Sequence, residues 1–284
     1  MRLLVTGAGG MLGRDVARAA KLAHHEVVAL DRQALDVADA DAVERAIADA
    51  RPDAVVNCAA WTDVDGAEEA EADALAINGA GAGNVAAAAA AVGASVVYVS
   101  SDYVFDGSKG EPYVESDQTA PLSAYGRTKL AGEEATIAAN KRHFVVRSSW
   151  LFGVGGGNFV ETMLRLAESQ NEVLVVRDEV GSPTYTWHLA YGVVRLIEGV
   201  EFGIHHMAAA GRCSWYEFAR EIFEQAKVEC KVLSTTAAEF GRSASRPPYS
   251  VMVSQREHAI RLPSWQDGLA GYLAQRQAER EEGS

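Results

Sequence analysis

A short apolar run passes directly into a glycine-rich turn near the start of the chain, in Leu3-Leu4-Val5-Thr6-Gly7-Ala8-Gly9-Gly10-Met11-Leu12-Gly13. The residues that follow, up to Leu22, are apolar at helical spacing, so the turn joins a strand to a helix. Glycines at such a junction allow the backbone to approach a pyrophosphate, and the helix N-terminus offers free N–H groups. The spacing is Gly7-x-x-Gly10-x-x-Gly13 rather than G-x-G-x-x-G. We predict a dinucleotide site at this turn.

The same alternation continues through the first half of the chain. Helix-length segments separate short apolar runs at residues 3–6, 26–30, 54–59, 95–100 and 144–148. This pattern is typical of βαβ units, whose strands are buried on both faces and form a parallel sheet between helices. The sequence therefore predicts an α/β fold with a doubly wound, Rossmann-like parallel sheet that starts at residue 3.

The pattern becomes less regular after Trp150. Helical patterns at 158–169, 187–198 and 215–226 flank a strand pattern at 172–177, and Ser214 is a suitable N-cap for the last helix. We expect residues 1–150 to form the dinucleotide-binding domain, with 175–200 returning to it. We expect residues 151–174 and 201–284 to form a smaller C-terminal substrate-binding lobe.

Composition limits the classes of partner. The chain has 284 residues and a net charge of −13, and an acidic surface is repelled by nucleic-acid phosphates and anionic membranes. No apolar run reaches the ~20 residues that span a bilayer, and the N-terminus does not match a signal peptide. The three cysteines, Cys58, Cys213 and Cys230, have neither disulfide nor zinc spacing. We expect a cytoplasmic protein, monomeric or homodimeric, with no nucleic-acid or membrane partner.

Charged and small residues follow the second and third strands, where a dinucleotide would lie. Asp31 can bond the ribose 2′-hydroxyl of NAD, whereas the neighbouring Arg32 can accommodate the 2′-phosphate of NADP. Because both are present, NADPH and NADH both remain open as the cofactor. Asp36-Val37 comes next, and this acid could meet the adenine amino group. Ala59-Ala60-Trp61 follows the third strand, where small side chains let a cofactor cross the sheet edge.

Tyr125 and Lys129 provide the clearest catalytic signal. They lie four residues apart in a segment that opens a helix after Pro121, so both side chains fall on one helix face. A free phenol has a pKa of about 10, and a neighbouring ammonium is expected to lower it. Tyr125 then becomes a general acid, and Lys129 can also hold the nicotinamide ribose. A chance surface pair is disfavoured because the motif lies downstream of a dinucleotide turn.

Hydroxyl groups stand at the end of the fourth strand, in Val99-Ser100-Ser101-Asp102-Tyr103. A hydroxyl at that place can bond a substrate carbonyl and polarise it. We select Ser101 as the first candidate and Ser100 as the second. One of the two can equally be a strand-end hydroxyl that satisfies the backbone.

Several motifs together resemble the extended short-chain dehydrogenase/reductases, and within them the dTDP-4-dehydrorhamnose reductase family. The glycine turn, the segment Ser100–Gly107 and the Tyr125–Lys129 motif carry this resemblance. Further matches cover nearly the whole chain; they are Arg147–Gly153, Asn158-Phe159-Val160, Gly181–Thr184 and Arg246–Ser250. The family usually has threonine where this chain has Ser101, which keeps the hydroxyl.

The resemblance implies hydride transfer from a nicotinamide to C4 of dTDP-4-dehydro-L-rhamnose, with Tyr125 giving a proton to the oxygen. It also implies that Trp150, Asp102 and Tyr103 line the sugar pocket and that Arg246 faces the nucleotide phosphates. A core aromatic is an equally good interpretation of Trp150. Some members bind magnesium through acids at a dimer interface. Asp15 falls near the first such position, but we find no convincing partner acids later in the chain, so we expect no metal.

The residues expected to act can be stated as three sets. The catalytic set is Tyr125, Lys129 and Ser101. The cofactor set is Gly7, Gly9, Gly10, Met11, Leu12, Gly13, Asp31, Arg32, Asp36, Val37, Ala59, Ala60, Trp61, Val99, Tyr125 and Lys129. The substrate set is Ser101, Asp102, Tyr103, Tyr125, Trp150 and Arg246. Two alternatives stay open: another nucleotide-sugar ketoreductase, epimerase or dehydratase of the extended family, or a non-catalytic regulatory subunit with the same fold.

Overall fold

The computed structural model describes residues 1–282 of the chain. Its strands are β1 (Arg2–Thr6), β2 (Glu26–Leu30), β3 (Ala54–Asn57), β4 (Ser95–Ser101), β5 (His143–Ser148), β6 (Leu151–Phe152), β7 (Glu172–Val176), β8 (Val180–Gly181), β9 (Thr184–Tyr185), β10 (Gly203–His206), β11 (Cys213–Ser214) and β12 (Lys231–Thr235). Its helices are α1 (Met11–Leu22), α2 (Ala40–Ala50), α3 (Gly66–Glu69), α4 (Glu71–Leu75), α5 (Ala82–Ala91), α6 (Ala124–Ala139), α7 (Phe159–Ala167), α8 (Thr186–Ile197), α9 (Trp215–Ala226), α10 (Ala237–Phe240) and α11 (Trp265–Glu282). A π-helical stretch, Ala76–Gly81, joins α4 to α5.

Six strands form the main sheet in the order β10-β5-β4-β3-β1-β2, and every neighbouring pair is parallel. The chain leaves β1 toward β2 and then returns to β3 on the other side of β1. This reversal is the switch point at which open α/β sheets bind ligands beyond the carboxyl ends of their strands. The predicted doubly wound parallel sheet is confirmed.

The two faces of the sheet are covered by different helices. Leu3 and Val5 of β1 pack with residues of α1 and α8, whereas the intervening Leu4 packs with residues of α2 and α5. Successive strand residues point to opposite faces, so a continuous apolar run suits a strand that has helices on both sides. The alanine-rich α5 forms part of the second layer, where its small side chains allow close packing.

The turns after β1 and β3 touch at the switch point. Gly7 has a φ of +63°, and a Cβ there would lie 2.6 Å from the backbone nitrogen of Ala59. A side chain is excluded by both the conformation and the space. Glycine at this position therefore allows the two candidate cofactor segments to meet.

A second core cluster lies outside the main sheet. It joins aromatic side chains such as Phe152, Phe218 and Tyr272 with residues of α7, α9 and α11. The small strand pairs β7–β12, β8–β11 and β6–β9 belong to this part of the chain. Ser214 caps α9 through a capping box with Glu217, as the N-cap prediction required.

The strand β10 pairs with β5 in the main sheet. It thus lies within residues 201–284, the range that the sequence assigned to the smaller lobe. The four residues of β10 include His205 and His206 and carry no run of β-branched side chains. Such a strand forms because β5 offers an open edge, and local pattern does not reveal it.

One helical segment meets the length and composition tests for crossing a membrane. An 18-residue window within Glu71–Ala91 has a mean hydropathy of 1.2, and half of that window is buried inside the protein. The statement that no apolar run reaches ~20 residues is therefore too strong. The segment includes the π-helical stretch and α5, which pack against α6, and a core helix of a folded domain passes the same test.

We expect Gly132→Ala to destabilise the fold, because the backbone of α6 at Gly132 lies directly against Asn78 and Tyr98 and leaves no space for a side chain. A Cβ on Gly132 would overlap the carbonyl oxygen of Asn78 and the phenol of Tyr98. Overpacking of this kind costs about 2 kcal/mol, and urea denaturation would measure it as a lower midpoint. Gly157→Ala is the control, because a Cβ there meets nothing within 4 Å. Equal midpoints for the two variants would contradict the proposed tight contact.

Candidate active site

The start of α1 is a cradle that fits a pyrophosphate. Gly10 is the N-cap and makes no side-chain capping hydrogen bond, and the first turn contains no acid. The free N–H groups of this turn are therefore not satisfied by a side chain, and they carry the positive end of the helix dipole. A Cβ on Gly13 would overlap the Gly7 carbonyl oxygen, which keeps the turn compact. The described residues fit the predicted cofactor group.

The loop between β6 and α7 lies beside this cradle. The Asn158 amide donates to the Gly153 carbonyl at 2.9 Å and contacts the Met11 sulfur at 3.7 Å. Gly156 packs against the same methionine, since a Cβ there would lie 2.7 Å from its Cγ. Sequence reasoning used Asn158 only to support the resemblance. Its pairing with Met11 spans 147 residues and has no local signal.

The two acids after β2, Asp31 and Asp36, accept hydrogen bonds from backbone N–H groups that follow them closely in the chain. One Asp31 carboxylate oxygen accepts the N–H groups of Gln33 at 3.0 Å and Ala34 at 2.9 Å. Asp36 accepts in the same way from Ala38 at 3.0 Å. Asp31 and Arg32 are both exposed, so each can meet an adenosine ribose. The side chains of Leu12 and Val37 are buried in the core.

The segment after β3 lies next to the catalytic helix. The Trp61 N–H donates to the Asn78 side chain at 2.8 Å, and the Asn78 amide in turn donates to Thr128 of α6 at 3.0 Å. The Trp61 ring and Tyr125 share one small apolar cluster. The structure thus brings Ala59-Ala60-Trp61 and the Tyr125 helix together at one edge of the sheet.

Lys129 is almost fully buried, with 2% exposure. Its ammonium donates to the Val99 carbonyl at 2.7 Å and lies 4.3 Å from the centre of the Tyr98 ring. Burial lowers the pKa of Lys129 to about 7, and the Glu133 carboxylate opposes that decrease. Lys129 is held at the carboxyl end of β4, beside the place where the predicted cofactor set converges.

Tyr125 packs edge-on against Tyr103, with ring centres 5.4 Å apart. Burial raises the pKa of Tyr125 to about 12, and the Ser101 hydroxyl acts in the lowering direction. The expected lowering by Lys129 is wrong, because burial and the Asp102 carboxylate raise the pKa of Tyr125 and the Lys129 ammonium is bonded to the Val99 carbonyl instead. The phenol therefore holds its proton firmly at neutral pH.

The two serines at the end of β4 have different partners. The Ser100 hydroxyl donates to the Glu133 carboxylate at 2.5 Å, away from Tyr125. The Ser101 hydroxyl donates to Asp102 at 3.0 Å and influences the Tyr125 phenol. Of the two candidates, Ser101 is therefore the one that shares a site with Tyr125.

Two tryptophans, Trp150 after β5 and Trp215 at the start of α9, stack on each other. Trp150 and Trp215 are nearly parallel, with ring centres 3.5 Å apart, and Trp150 has a φ of +49°. This conformation is costly for a bulky residue and is found mostly where the surroundings demand it. Gly181 makes room, because a Cβ there would overlap the Trp150 indole. Sequence reasoning missed Trp215, whose only signal was its place after the N-cap Ser214.

Arginines and acids pair beside these rings. Arg246 forms a two-pronged ion pair with Asp65, with N–O distances of 3.2 and 2.7 Å. Arg242 lies 3.4 Å from the buried carboxylate of Glu179, and Trp215 also bonds Glu179. Arg246 holds the pKa of Asp65 far below its usual range. Arg242, Glu179 and Asp65 were not among the sequence candidates, because their partners are distant in sequence.

Asp15 is buried and serves the fold. Its carboxylate accepts from the Thr186 hydroxyl at 2.6 Å, which ties α1 to α8. Within residues 1–282, no three histidine, cysteine or acidic side chains are grouped closely enough to hold a metal ion.

The chain is similar over nearly its whole length to several known proteins. Residues 1–278 match the family model described as the RmlD substrate binding domain. The chain is 43% identical to the spore coat polysaccharide biosynthesis protein SpsK of Bacillus subtilis, over 97% of this chain and 98% of that protein. It is 42% identical to a dTDP-4-dehydrorhamnose reductase of Mycolicibacterium smegmatis, over 96% and 85%. A crystal structure of the dTDP-4-dehydrorhamnose reductase of Bacillus anthracis in complex with NADP superimposes with a TM-score of 0.94 at 38% identity, covering 96% and 99%.

We expect Asp102→Asn to stabilise the free protein at neutral pH. Burial raises the pKa of Asp102 from 3.8 to about 6, a shift of about two pH units that corresponds to about 3 kcal/mol. The unfolded carboxyl ionises first as pH rises from 4 to 6, so wild-type stability falls across that window. The amide avoids this cost. Thermal denaturation should show the gain above pH 6 and almost none at pH 4.

Asp106→Asn on the same loop is the matched comparison. The Asp106 carboxylate accepts from Ser108 and Tyr113 at 2.8 Å, and these bonds lower its pKa. Its amide variant should lose stability at neutral pH. A loss in both variants would contradict the assignment of a desolvation cost to Asp102.

Proposed function

The chain belongs to the RmlD substrate binding domain family, and we propose that it reduces the C4 ketone of dTDP-4-dehydro-L-rhamnose to dTDP-L-rhamnose. The protein is an NAD(P)H-dependent oxidoreductase. The observation that carries the proposal is the convergence of the glycine cradle, the β3 turn and Tyr125 with Lys129 at one sheet edge. The likeness to named reductases over nearly the whole chain gives the substrate class.

The bound nicotinamide supplies a hydride to C4 of the keto-sugar. Tyr125 gives its proton to the carbonyl oxygen, so the C=O group becomes CH–OH, and the phenolate that remains takes a proton from solvent. A phenol with a pKa of about 12 remains protonated until negative charge develops on that oxygen. The Ser101 hydroxyl, beside Tyr125, bonds and polarises the same oxygen.

Different cofactor residues contact different parts of the dinucleotide. Gly7, Gly10 and Gly13 with Met11 cradle the pyrophosphate, and Asp31 or Arg32 meets the adenosine ribose. The remaining positions, which include Ala59, Ala60 and Val99, line the path between the adenine and nicotinamide ends. Lys129 holds the nicotinamide ribose through its ammonium. NADPH and NADH both fit, since neither Asp31 nor Arg32 is engaged by a distant side chain.

Both parts of the chain supply substrate contacts: Arg246 lies in the smaller lobe, and the other predicted substrate residues lie within residues 1–150. Trp150, stacked on Trp215, forms an apolar wall for the sugar, and Asp102 and Tyr103 are the other residues that line the sugar pocket. Arg246 meets the diphosphate, for which a planar, two-pronged donor is suited. We place the protein in the cytoplasm, because its three cysteines are all unpaired. It acts as a monomer or homodimer, without nucleic acid, a membrane or a resident metal.

Turnover of dTDP-4-dehydro-L-rhamnose with NADPH and with NADH, side by side, tests the function. We expect net oxidation of the reduced cofactor, measured by loss of its absorbance. Turnover of the sugar without net cofactor change would favour an epimerase or dehydratase. An intact site that turns over no keto-sugar would favour a regulatory subunit.

Tyr125→Phe tests the proton donor. We expect turnover to fall by about 100-fold or more, because a positioned acid contributes that much, while fluorescence still reports NADPH binding. Tyr191→Phe is the control, since Tyr191 is 59% exposed on α8. Equal turnover in both variants would remove Tyr125 from the mechanism.

A further inference from the structure

Helix α6 and strand β4 are joined by three side-chain contacts near the site, made by three successive residues of one face of the helix. Tyr125, Lys129 and Glu133 are spaced by four residues on the helix, so they share one face. On the strand, Ser101 acts on Tyr125, the Val99 carbonyl binds Lys129, and the Ser100 hydroxyl binds Glu133. The contacts of Tyr125 and Lys129 belong to the proposed reaction. The proposed reaction assigns no role to the third contact, that of Glu133.

Glu133 is one half of a buried ion pair. Arg147 on β5 donates to both carboxylate oxygens, at 2.9 and 2.7 Å, and the two side chains are only 3% and 2% exposed. A two-pronged guanidinium–carboxylate pair is fixed in distance and in orientation. Buried charges of this kind contribute little net stability compared with apolar residues. Stability alone therefore does not explain why Glu133 and Arg147 are held in this fixed geometry.

The ion pair is anchored to the strand that bears the active serine. Ser100 and Arg147 are register partners between β4 and β5, and the next pair is Ser101 with Ser148. Glu133 accepts from both Ser100 and Arg147, so its carboxylate is held against two strands at once. A shift of α6 along β4 would break three charge-assisted hydrogen bonds.

The charges that face Lys129 come from three elements. Glu133 lies on its own helix and favours the ammonium, whereas burial disfavours it. Cys58, after β3, is a neutral thiol whose pKa is raised to about 12 by burial. The phenols of Tyr98 on β4 and Tyr125 on α6 are neutral, since their pKa values are also raised. Glu133 is thus the one carboxylate that opposes the desolvation of Lys129 among these groups.

We propose that Glu133 is a positioning residue for the ketoreduction, because its anchored carboxylate keeps Lys129 charged and in register with Tyr125. The proposal rests on the proposed function for its catalytic meaning. Arg147 and Ser100 hold the carboxylate in place, and Glu133 itself touches neither substrate nor cofactor. Ser100, the second catalytic candidate from the sequence, takes a supporting role in this arrangement.

Glu133→Gln tests the proposal through its pH profile. Without the carboxylate, Lys129 loses its proton at a lower pH, so the alkaline fall of kcat/KM should move down by about one pH unit. A shift of one unit is a tenfold loss above the fall, and the activity of the variant should reach that of the wild type at about pH 5, below both pKa values. Glu134→Gln is the matched control, because Glu134 is the next residue of α6 and is exposed. It should leave the profile unchanged.

A second readout does not depend on the sugar. The Kd for NADPH, measured by fluorescence across the same pH range, should rise at lower pH in Glu133→Gln than in the wild type. If the wild type reduces no keto-sugar, the proposed function fails while this binding test still decides the role of Glu133. A loss that is uniform at every pH, in turnover and in binding, would overturn the proposal.

The single variant leaves the Arg147 guanidinium buried and unpaired, which can prevent folding. The double variant Glu133→Gln/Arg147→Met removes both charges and restores an apolar stem in the place of the guanidinium. Lys129 has no direct contribution from Arg147, so the double variant should show the same downward shift. A folded double variant with the wild-type profile would also overturn the proposal.

Discussion

The close contact between α6 and β4 is the constraint on which the site depends. Gly132 lets the helix lie against the Asn78 carbonyl and the Tyr98 phenol, and Tyr98 donates back to the carbonyls of Asn78 and Lys129 at 3.0 and 3.3 Å. Asn78 also bonds Trp61 and so ties the β3 turn to the same place. One backbone contact therefore sets the positions of the cofactor turn and the Tyr125 helix relative to each other.

This contact explains the shifted pKa values of Lys129 and Tyr125. Because α6 is pressed onto the sheet, Lys129 loses most of its solvent, and its pKa falls to about 7, while that of Tyr125 rises to about 12. The Tyr125 phenol keeps its proton before the reaction begins. Transfer of this proton to the substrate oxygen becomes favourable only as negative charge develops on that oxygen. Interactions that strengthen in the transition state, rather than before it, are those that accelerate a reaction.

The sequence was informative where a function depends on local spacing. The glycine turn, the βαβ alternation and the Tyr125–Lys129 pair are each carried by residues within one element or one turn. The choice between Ser100 and Ser101 was open, because it depends on Glu133 and Arg147, which lie on two other elements. β10 and the Asp65–Arg246 pair were missed for the same reason, since 181 residues separate Arg246 from its partner. Periodicity reports which face a residue takes and gives no information about what it meets there.

The Asp65–Arg246 pair shows how the two parts of the site depend on each other. Asp65 also accepts from the Ser243 hydroxyl at 2.9 Å and the Ala244 N–H at 3.0 Å, so it holds the whole segment 243–246. It follows the β3 turn, whose residues Ala59–Trp61 belong to the cofactor set. The Asp65 side chain is 43% exposed, whereas that of Arg246 is 11% exposed. Under the proposed function, an incoming diphosphate displaces the exposed carboxylate toward solvent while the guanidinium keeps its place, because a phosphate and a carboxylate offer Arg246 the same negative charge.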